Sequence, residues 1–570
     1  MVKYGYQLND KMLILNFTQV YCKSVTEVLN SDCFKDVFAG FLRHAKKHDK
    51  LDVLKLVEKV SNPLEDFVNL FRLLHSFEYE EIGTIKPEYK EVLTYRGVLY
   101  NLVEEFYDYW RKLERYSYII AKKVEGGVQS GVFLATNQTF TEVILRTYRS
   151  ISEKIAGHKF LVYRQLPSGI NAGMLISQYS WAPQGSIYEQ FNEVPCIESV
   201  LIRPPFISYT KKNKRTGVYK LNKENPLNKV KIDPNDFLCY PIKVGSALAF
   251  VYFNKQFMTH GITLSNLFEA ASMTDLKSHK PDLLYVFGYG SEESSYYYDE
   301  KEDIYVGLAP LSDDVDYFGY MKKMLLTLYN TKMIDHNNLP IHGACVHIRM
   351  KNNKEKTIVI IGDSGAGKSE TLEALSSVAS DEIVSMHTIF DDMGTFIKKD
   401  GEIYAYGTEI GAFVRLDDMS SDCAYREMDR AIYLNPDKVN SRLVIPVSTY
   451  GQIMHGFKVD MVLYANNYEN KTELRLFKNI DEALDVFIVG ARYAKGTTGE
   501  VGLTKSFFAN PFGPVQKEKE TRVILKDIFS ALFKNKIPVG EMYTRLAVKG
   551  YEQEGPYEMA KLLLEKLKEL

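Results

Sequence analysis

One stretch of the chain constrains its fold more than any other, the run IVIIGDSGAGKSETLEAL at residues 358–375. Four apolar residues lead into Gly362, and the segment from Gly362 to Ser369 matches the phosphate-loop pattern G-x-x-x-x-G-K-[S/T]. The pattern is informative where a strand precedes the loop and a helix follows it, and the flanking residues favour both. The stretch therefore predicts a nucleotide-binding domain of the α/β class.

The residue types of the loop suit the binding of a nucleoside triphosphate. Glycines allow the backbone to curl so that its amides point at phosphate oxygens, and the start of a helix adds partial positive charge. Lys368 is expected to reach the β- and γ-phosphates, and Ser369 is expected to hold a bridging Mg²⁺ ion. The predicted nucleotide-binding residues of the loop are Gly362, Asp363, Ser364, Gly365, Ala366, Gly367, Lys368, Ser369 and Glu370.

A pair of carboxylates, Asp391 and Asp392, follows the apolar run IVSMHTIF at residues 383–390. This run is predicted to be a strand that ends at the pair. Carboxylates at such a strand end are well placed to bind a divalent metal beside the phosphates. An isolated Asp-Asp pair is also typical of a surface turn, and it is the phosphate loop upstream that favours the metal site.

The 570 residues exceed what one hydrophobic core holds, so the sequence predicts several domains. Four segments differ in their apolar periodicity and in their content of Gly, Pro and β-branched residues. They are a helical region at 1–125, a β-rich domain at 126–310, a P-loop catalytic domain at 311–515 and a helical tail at 516–570.

Some predictions within these segments are local. Residues 95–120 are predicted to form one long helix, because their apolar positions recur at helical spacing. Residues 127–140 and 158–166 are predicted to be short strands, since they combine aromatic and β-branched residues with turn formers. From about residue 340, strands alternate with helices, which indicates a mixed sheet with flanking helices.

Composition and charge narrow the functional classes. The chain has 71 Lys and Arg against 73 Asp and Glu, so no overall field attracts nucleic acid or an anionic membrane. The basic run TKKNKR at 210–215 is interpreted as a solvated loop. Six scattered cysteines without a C-x-x-C pair, and the lack of a long apolar segment or signal peptide, predict a cytoplasmic protein. We therefore expect no nucleic-acid or membrane partner.

Three residues upstream of the loop, Tyr317, Lys323 and His342, carry a family resemblance. In the segments DYFGYMKKM and IHGACVHI, their order and spacing resemble those of the ATP-dependent phosphoenolpyruvate carboxykinases. The resemblance implies that Lys323, His342 and Asp392 bind a catalytic Mn²⁺ ion and that Asp391 faces the Mg²⁺ of ATP. A lysine ligand must be deprotonated, which burial and neighbouring cations achieve by lowering its pKa.

Further segments continue the resemblance in chain order as far as residue 515. TEIGAFVR at 408–415 is similar to a strand that places Glu409 and Arg415 near the nucleotide. VNSRLVIP gives Arg442 contact with the substrate and the transferred phosphate, since a guanidinium fork suits paired oxygens. RYAKGTTGEVGLTKSFFANPFGP matches a family run in outline, and LIRPPFISYT offers Arg203 as the arginine that holds the substrate carboxylate.

The resemblance implies a carboxykinase-like P-loop domain preceded by a β-rich substrate domain. It also implies ATP-dependent decarboxylation and phosphorylation of oxaloacetate, with Tyr317 against the substrate. Lys368 and Arg442 would spread the charge of the moving phosphoryl group, and Lys323 would act at the metal.

Two alternatives stay open. The run from IHGACVHI to GDSGAGKSE also resembles the HPr kinase/phosphorylases, which are bacterial protein-serine kinases, and Glu370 directly after the loop serine is typical of them. That resemblance implies a kinase of a protein serine or of a small-molecule hydroxyl. The third possibility is a nucleotide-binding regulatory or scaffold protein without catalysis. The helical region 1–125 is a candidate for regulation, assembly or binding of a protein partner.

Overall fold

The computed structural model describes residues 2–121, 129–214, 219–291, 293–416, 429–495 and 501–569. The chain divides into two compact units. Unit 1 comprises Met1–Ser177 and Ile197–Phe206, and unit 2 comprises Gln178–Cys196 and Ile207–Leu570. The four segments predicted from the sequence do not coincide with these units. Helices and multistranded sheets together confirm the mixed α/β class.

The helices of unit 1 form an amphipathic bundle. Ser31 begins the second helix, where its Oγ accepts the Phe34 N–H at 3.1 Å, and the helix then buries Phe38 and Phe41 on one face. Asn62 and Pro63 begin the fourth helix in the same manner, as cap and first residue. The helices are α1 (Val25–Asn30), α2 (Asp32–Lys47), α3 (Leu51–Val57), α4 (Pro63–Ser76), α5 (Tyr79–Ile85), α6 (Lys90–Thr94), α7 (Arg96–Lys112) and α8 (Gln129–Ala156).

Unit 1 also contains a sheet. Its strands, in the spatial order given, are β1 (Val2–Lys3), β2 (Tyr6–Leu8), β3 (Met12–Asn16), β4 (Glu114–Ile120), β5 (Ala172–Ser177) and β6 (Cys196–Ile202). The single helix predicted over 95–120 is therefore wrong in its second half. Its last seven residues form β4, which pairs in parallel with β3 and β5 and buries Tyr116 between them. The aromatic and β-branched residues of this segment suit a strand with neighbours on both sides.

The strand predicted over 127–140 is also wrong. From Gln129 these residues belong to the 28-residue helix α8, which buries Phe133, Phe140 and Val143 at helical spacing. No strand is found at 158–166, all of which lie within the described part of the chain. Short apolar runs with turn formers are compatible with a strand and with a helix. Here the packing of α8 against α4 and α7 favours the helix. The other predicted strands of this region, β5 and β6, are confirmed.

Unit 2 holds the remaining elements. Its strands from residue 206 onward are β7 (Phe206–Ser208), β8 (Lys220–Leu221), β9 (Phe237–Val244), β10 (Ala247–Asn254), β11 (Glu269–Ala270), β12 (Leu283–Phe287), β13 (Ser295–Asp299), β14 (Ile304–Ala309), β15 (Leu339–Met350), β16 (Glu355–Ile361), β17 (Ile383–Lys399), β18 (Glu402–Gly407), β19 (Gly411–Arg415), β20 (Ile432–Leu434), β21 (Arg442–Pro446), β22 (Phe457–Lys458), β23 (Met461–Asn466), β24 (Leu474–Leu476), β25 (Ala491–Lys495), β26 (Val501–Lys505) and β27 (Val539–Tyr543). Its helices are α9 (Met258–Leu267), α10 (Met273–Ser278), α11 (Phe318–Asp335), α12 (Lys368–Val378), α13 (Tyr450–Met454), α14 (Ile480–Val489), α15 (Glu518–Lys534) and α16 (Glu554–Glu569).

The strand before the phosphate loop lies inside a mixed sheet of order β22-β18-β17-β15-β16-β23-β27-β24. In this sheet β16, β23 and β27 are mutually parallel, and β15, β17 and β18 are antiparallel to their neighbours. Ile358 and Ile360 face a core with α12 and α16, while Val359 and Ile361 face a core with α14 and α15. Burial on both faces explains the unbroken apolar run before the loop and confirms the predicted mixed sheet with flanking helices.

Two sequence predictions for this sheet need correction. The predicted helical tail 516–570 does contain two helices, but β27 lies between them and is hydrogen-bonded on both sides within the sheet, so this segment is part of the core. The strand predicted to end at Asp391 and Asp392 instead continues to Lys399, because β15 pairs along almost its whole length. The carboxylate pair therefore lies in the middle of β17.

Candidate functional site

The phosphate loop connects β16 to α12, as the sequence predicts. Gly365 and Gly367 adopt φ values of 77° and 91°, in the left-handed region that favours glycine. A Cβ at Gly367 would lie 2.5 Å from the Thr544 Oγ1, so a side chain is excluded there by space as well. The buried Lys368 turns back on the loop, where its Nζ donates to the Asp363 carbonyl at 3.0 Å.

The two carboxylates in β17 have different neighbours. Asp391 accepts a hydrogen bond from the Ser369 Oγ at 2.8 Å, which joins it to the first turn of α12. Burial raises the pKa of Asp391 above its ordinary value. Asp392 instead faces α11 and β15. The two adjacent carboxylates therefore have different surroundings: Asp391 lies beside the loop, and Asp392 lies beside the predicted second metal site.

Asp392 lies close to Lys323 and His342, the residues predicted around it, and also to Lys322, which was not predicted. Its Oδ2 lies 2.6 Å from the Lys322 Nζ and 3.1 Å from the Lys323 Nζ, and its Oδ1 lies 3.1 Å from the His342 Nε2. Burial acts to raise the pKa of Asp392, but the charges of Lys322 and Lys323 hold it well below its usual range. We call Lys322, Lys323, His342, Asp392 and Glu409 the Asp392 cluster.

The two adjacent lysines differ in charge balance. Lys322 is fully buried, with its Nζ also 2.9 Å from the Glu409 Oε1. Burial would lower the pKa of Lys322, but the charges of Asp392 and Glu409 outweigh it and raise the pKa. Burial, helped by the charge of Lys322 and opposed by that of Asp392, lowers the pKa of Lys323. Lys323 is thus the lysine whose amine is more easily deprotonated.

The histidine of the cluster has a defined tautomer. His342 Nδ1 lies 2.6 Å from the Ala509 carbonyl oxygen, which only accepts, so Nδ1 carries a proton. Its Nε2 faces the Asp392 Oδ1 at 3.1 Å. Neighbouring ligands of an octahedral ion with bonds of about 2.1 Å are separated by about 3.0 Å, close to the observed spacing.

The donor set is therefore compatible with a divalent ion in which an amine, an imidazole and a carboxylate take part. Across the described residues, no group of three or more His, Cys, Asp or Glu side chains is close enough to hold a metal ion by itself. A metal at the Asp392 cluster consequently depends on the Lys323 amine as a ligand.

A cavity of about 210 Å³ lies between the phosphate loop and the Asp392 cluster. Two of its cations, Lys214 and Arg442, form no ion pair with any residue of the described chain. The Arg442 Nε is buried and lacks a hydrogen-bond partner there, while its guanidinium lies over the Phe413 ring at 5.3 Å. Unpaired cations at such a cavity suit an anionic ligand. The lining residues are Lys214, Tyr317, Gly319, Lys323, His342, Asp363, Ser364, Asp392, Phe413, Asn440, Arg442, Arg492, Pro511 and Phe512.

Other predicted residues lie elsewhere. Arg203 belongs to unit 1, where its Nη2 donates to the Gln138 Oε1 at 3.1 Å. Within the described chain, Arg415 is not among the residues lining the cavity and lies opposite Arg442 in the pairing of β19 with β21. Glu370 is half-buried in the first turn of α12, and Glu409 is buried against Lys322 rather than facing the loop. Tyr317 lines the cavity.

Sequence reasoning missed several residues of the site. Lys322 is adjacent to Lys323, and only its burial distinguishes the two. Lys214 lies in the run interpreted as a solvated loop, and Arg492 lies at the start of a run that was matched only in outline. Asn440 lies in VNSRLVIP, a segment from which only Arg442 was predicted as a site residue. The residues 496–500 of the matched run lie outside the described part of the chain.

Comparisons with known proteins give no family for this chain. No family model matches it, and no curated protein is significantly similar to it. Among the described residues, no helix is both long enough and apolar enough to cross a membrane.

Proposed function

We propose that the protein is an ATP-dependent phosphotransferase of the phosphoenolpyruvate carboxykinase type, which converts oxaloacetate to phosphoenolpyruvate with a divalent metal. One observation carries the proposal. The cavity beside the phosphate loop is lined by Tyr317, Lys323, His342 and Arg442, which come from three separate segments of unit 2. Resemblance in sequence alone places these residues in order, whereas their convergence on one cavity next to the loop supports a common chemical task.

The phosphate end of the site would be bound by the loop. The loop amides and the start of α12 suit the β- and γ-phosphates, and the Lys368 ammonium needs only to leave its own loop carbonyl to reach them. Ser369 and Asp391, whose side-chain oxygens lie 2.8 Å apart, would hold Mg²⁺.

The substrate end would be bound by the cavity. Lys323, His342 and Asp392 would hold the second divalent ion, which supplies positive charge for the enolate oxygen. Arg442 and Lys214 would bind carboxylate oxygens, and the Tyr317 ring would lie against the substrate. In the reaction a C–C bond breaks to release CO₂, its electron pair forms the enolate, and the enolate oxygen attacks the γ-phosphorus while ADP leaves.

A specific contact supports a second candidate, a kinase of a protein serine or of a small-molecule hydroxyl. The His342 Nε2 lies 3.1 Å from the Asp392 Oδ1, and such a pair beside a phosphate loop can take a proton from an attacking hydroxyl. The carboxykinase is preferred because two further unpaired cations, Lys214 and Arg442, serve a small anion better than a neutral hydroxyl.

The test supplies the purified chain with ATP, Mn²⁺ and oxaloacetate and follows phosphoenolpyruvate. We expect product that requires all three and that is lost in Lys323→Met. Label moving from γ-labelled ATP to a protein serine without phosphoenolpyruvate would favour the kinase. ATP binding without turnover of any acceptor would favour the regulatory protein.

A further inference from the structure

We propose that Arg492, Asn467 and Thr544 are positioning residues that hold the phosphate loop in the conformation that receives the triphosphate. This inference rests on the nucleotide site of the proposed function. We call these three side chains the carbonyl clamp, because each donates a hydrogen bond to a backbone carbonyl of the loop. The bonds are Arg492 Nη1 to Ser364 O at 3.0 Å, Asn467 Nδ2 to Gly365 O at 2.9 Å and Thr544 Oγ1 to Ala366 O at 2.8 Å.

Three successive carbonyls are thereby drawn outward. In a trans peptide unit the carbonyl and the amide of the next residue point in opposite directions. The clamp therefore turns the amides of Gly365 and Gly367 toward the inside of the loop, where phosphate oxygens bind. The amide between them, that of Ala366, donates to the Asp363 carbonyl at 3.1 Å and closes the turn.

Two of the three clamp residues directly follow strands of the mixed sheet. Asn467 directly follows β23 and Thr544 directly follows β27, and both strands run parallel to β16, whose end begins the loop. The carboxyl ends of neighbouring parallel strands lie at one edge of a sheet, so their following residues meet there. The segment after residue 516, predicted as a helical tail, thus contributes a residue to the loop.

The clamp side chains are held in place. Asn467 and Thr544 are fully buried, and Arg492 is 6% exposed. Asn467 is also bonded to β25 in both directions, from its Nδ2 to the Tyr493 carbonyl at 3.0 Å and from the Tyr493 amide to its Oδ1 at 2.9 Å. Breaking these bonds would leave buried polar groups unsatisfied, which favours the observed arrangement of the side chains.

Arg492 has a second task in the clamp. Its Nε donates to the Asp363 Oδ2 at 2.7 Å, which neutralises the one carboxylate within the loop. Without that guanidinium, the Asp363 charge would repel the triphosphate. Arg492 therefore shapes the loop and also removes the charge that would oppose its ligand.

The first experiment measures ATP affinity by calorimetry, together with the unfolding midpoint, and requires no turnover. We expect Arg492→Leu to weaken ATP binding about tenfold or more. The double variant with Asp363→Asn should recover most of the affinity that Arg492→Leu alone loses. Recovery is expected because the unneutralised charge has gone, and a purely structural role of Arg492 would not produce it.

The second experiment removes one hydroxyl. Thr544→Val should weaken ATP binding about three- to tenfold, as for one lost buried hydrogen bond, and Thr544→Ser should restore it. The matched control is Thr521→Val, since Thr521 is equally buried and donates to the Lys517 carbonyl far along the chain from the loop. We expect this control to lower the unfolding midpoint without changing ATP affinity.

The outcomes separate the inference from the proposed function. If Thr544→Val and Arg492→Leu bind ATP as the parent does while their unfolding midpoints fall, the clamp has no role in positioning and the inference is overturned. If the parent does not bind ATP at all, the inference is overturned together with the nucleotide site. If ATP binds and the clamp variants behave as expected but no phosphoenolpyruvate forms, only the carboxykinase function fails.

Discussion

The phosphate loop and the Asp392 cluster adjoin one cavity, yet they are constructed in opposite ways. The loop is eight consecutive residues whose useful groups are backbone amides, and its geometry is fixed by hydrogen bonds from neutral and basic side chains around it. The Asp392 cluster draws its residues from four separate segments. Its functional groups are charged side chains that are largely buried. The first depends on shape and the second on charge balance.

The two regions should therefore respond differently to mutation. A loop held by several separate hydrogen bonds should lose affinity gradually as bonds are removed, because each contributes modestly. The buried Asp392 cluster contains two ammonium groups, one imidazole and two carboxylates. Removing one of these charges should have a large effect at once, because another charge is then left uncompensated. Mutations should therefore separate the two regions by the size and the kind of their effect.

The largest expected effect is that of Asp392→Asn, which removes the charge shared by Lys322, Lys323 and His342. We expect phosphoenolpyruvate formation to fall about 10²–10³-fold or more, because the proposed metal would lose its carboxylate ligand. ATP affinity should stay within about threefold, since the loop does not use Asp392. Asp527→Asn, at an exposed surface ion pair, is the control with no expected effect on either quantity. An equal loss of ATP affinity and turnover would show that the loop and the cluster are not independent.

The next effect concerns stability. Lys322→Met leaves Glu409 and Asp392 buried with one cation fewer, and we expect the free energy of unfolding to fall by about 3–5 kcal/mol. Adding Glu409→Gln should recover part of this loss, because the second carboxylate is then neutral. The measurement is urea unfolding followed by Trp181 emission in a Trp110→Phe background, since the two tryptophans lie in different units.

A surface lysine gives the matched control for that measurement. Lys398 forms an exposed ion pair with Asp527 at 2.7 Å, and Lys398→Met should change the free energy of unfolding by less than about 1 kcal/mol. If Lys322→Met lowers the free energy of unfolding no more than this control does, the stability of the Asp392 cluster does not depend on its charges. The proposed contrast with the loop would then be wrong.

A smaller effect is expected in the pH dependence of stability. Burial raises the pKa of Glu409 to about 7, above its unfolded value, so the folded state binds more protons between these two values. Ionisation of Glu409 therefore lowers the stability of unit 2 as the pH rises from about 4.5 to 7. The free energy of unfolding of Glu409→Gln, relative to the parent, should rise over this interval by about 1–3 kcal/mol. A difference that is flat between pH 5 and pH 8 would contradict the raised pKa.

The same contrast explains what could be predicted from the sequence. The loop and its flanking strand and helix are encoded locally, so residues 358–375 were predicted with their structure. The contacts of Lys323, His342 and Asp392 could be anticipated only through a family resemblance. Lys322, Asn467 and Thr544 could not be found, because their roles come from burial and from the meeting of parallel strand ends. Likewise, α8 was mistaken for a strand since short apolar runs fit both structures until tertiary packing decides.

The smallest expected effect distinguishes two candidates for the substrate carboxylate. Arg203 was predicted for this task, but it belongs to unit 1 and bonds to Gln138, whereas Lys214 lines the cavity of unit 2 without an ion-pair partner in the described chain. We expect Lys214→Ala to raise the KM for oxaloacetate about tenfold at nearly constant kcat, since a binding contact common to ground and transition state is lost. Arg203→Ala should change KM by less than about twofold. The reverse result would indicate that Arg203 binds the substrate carboxylate and that the cavity of unit 2 is not the complete substrate site.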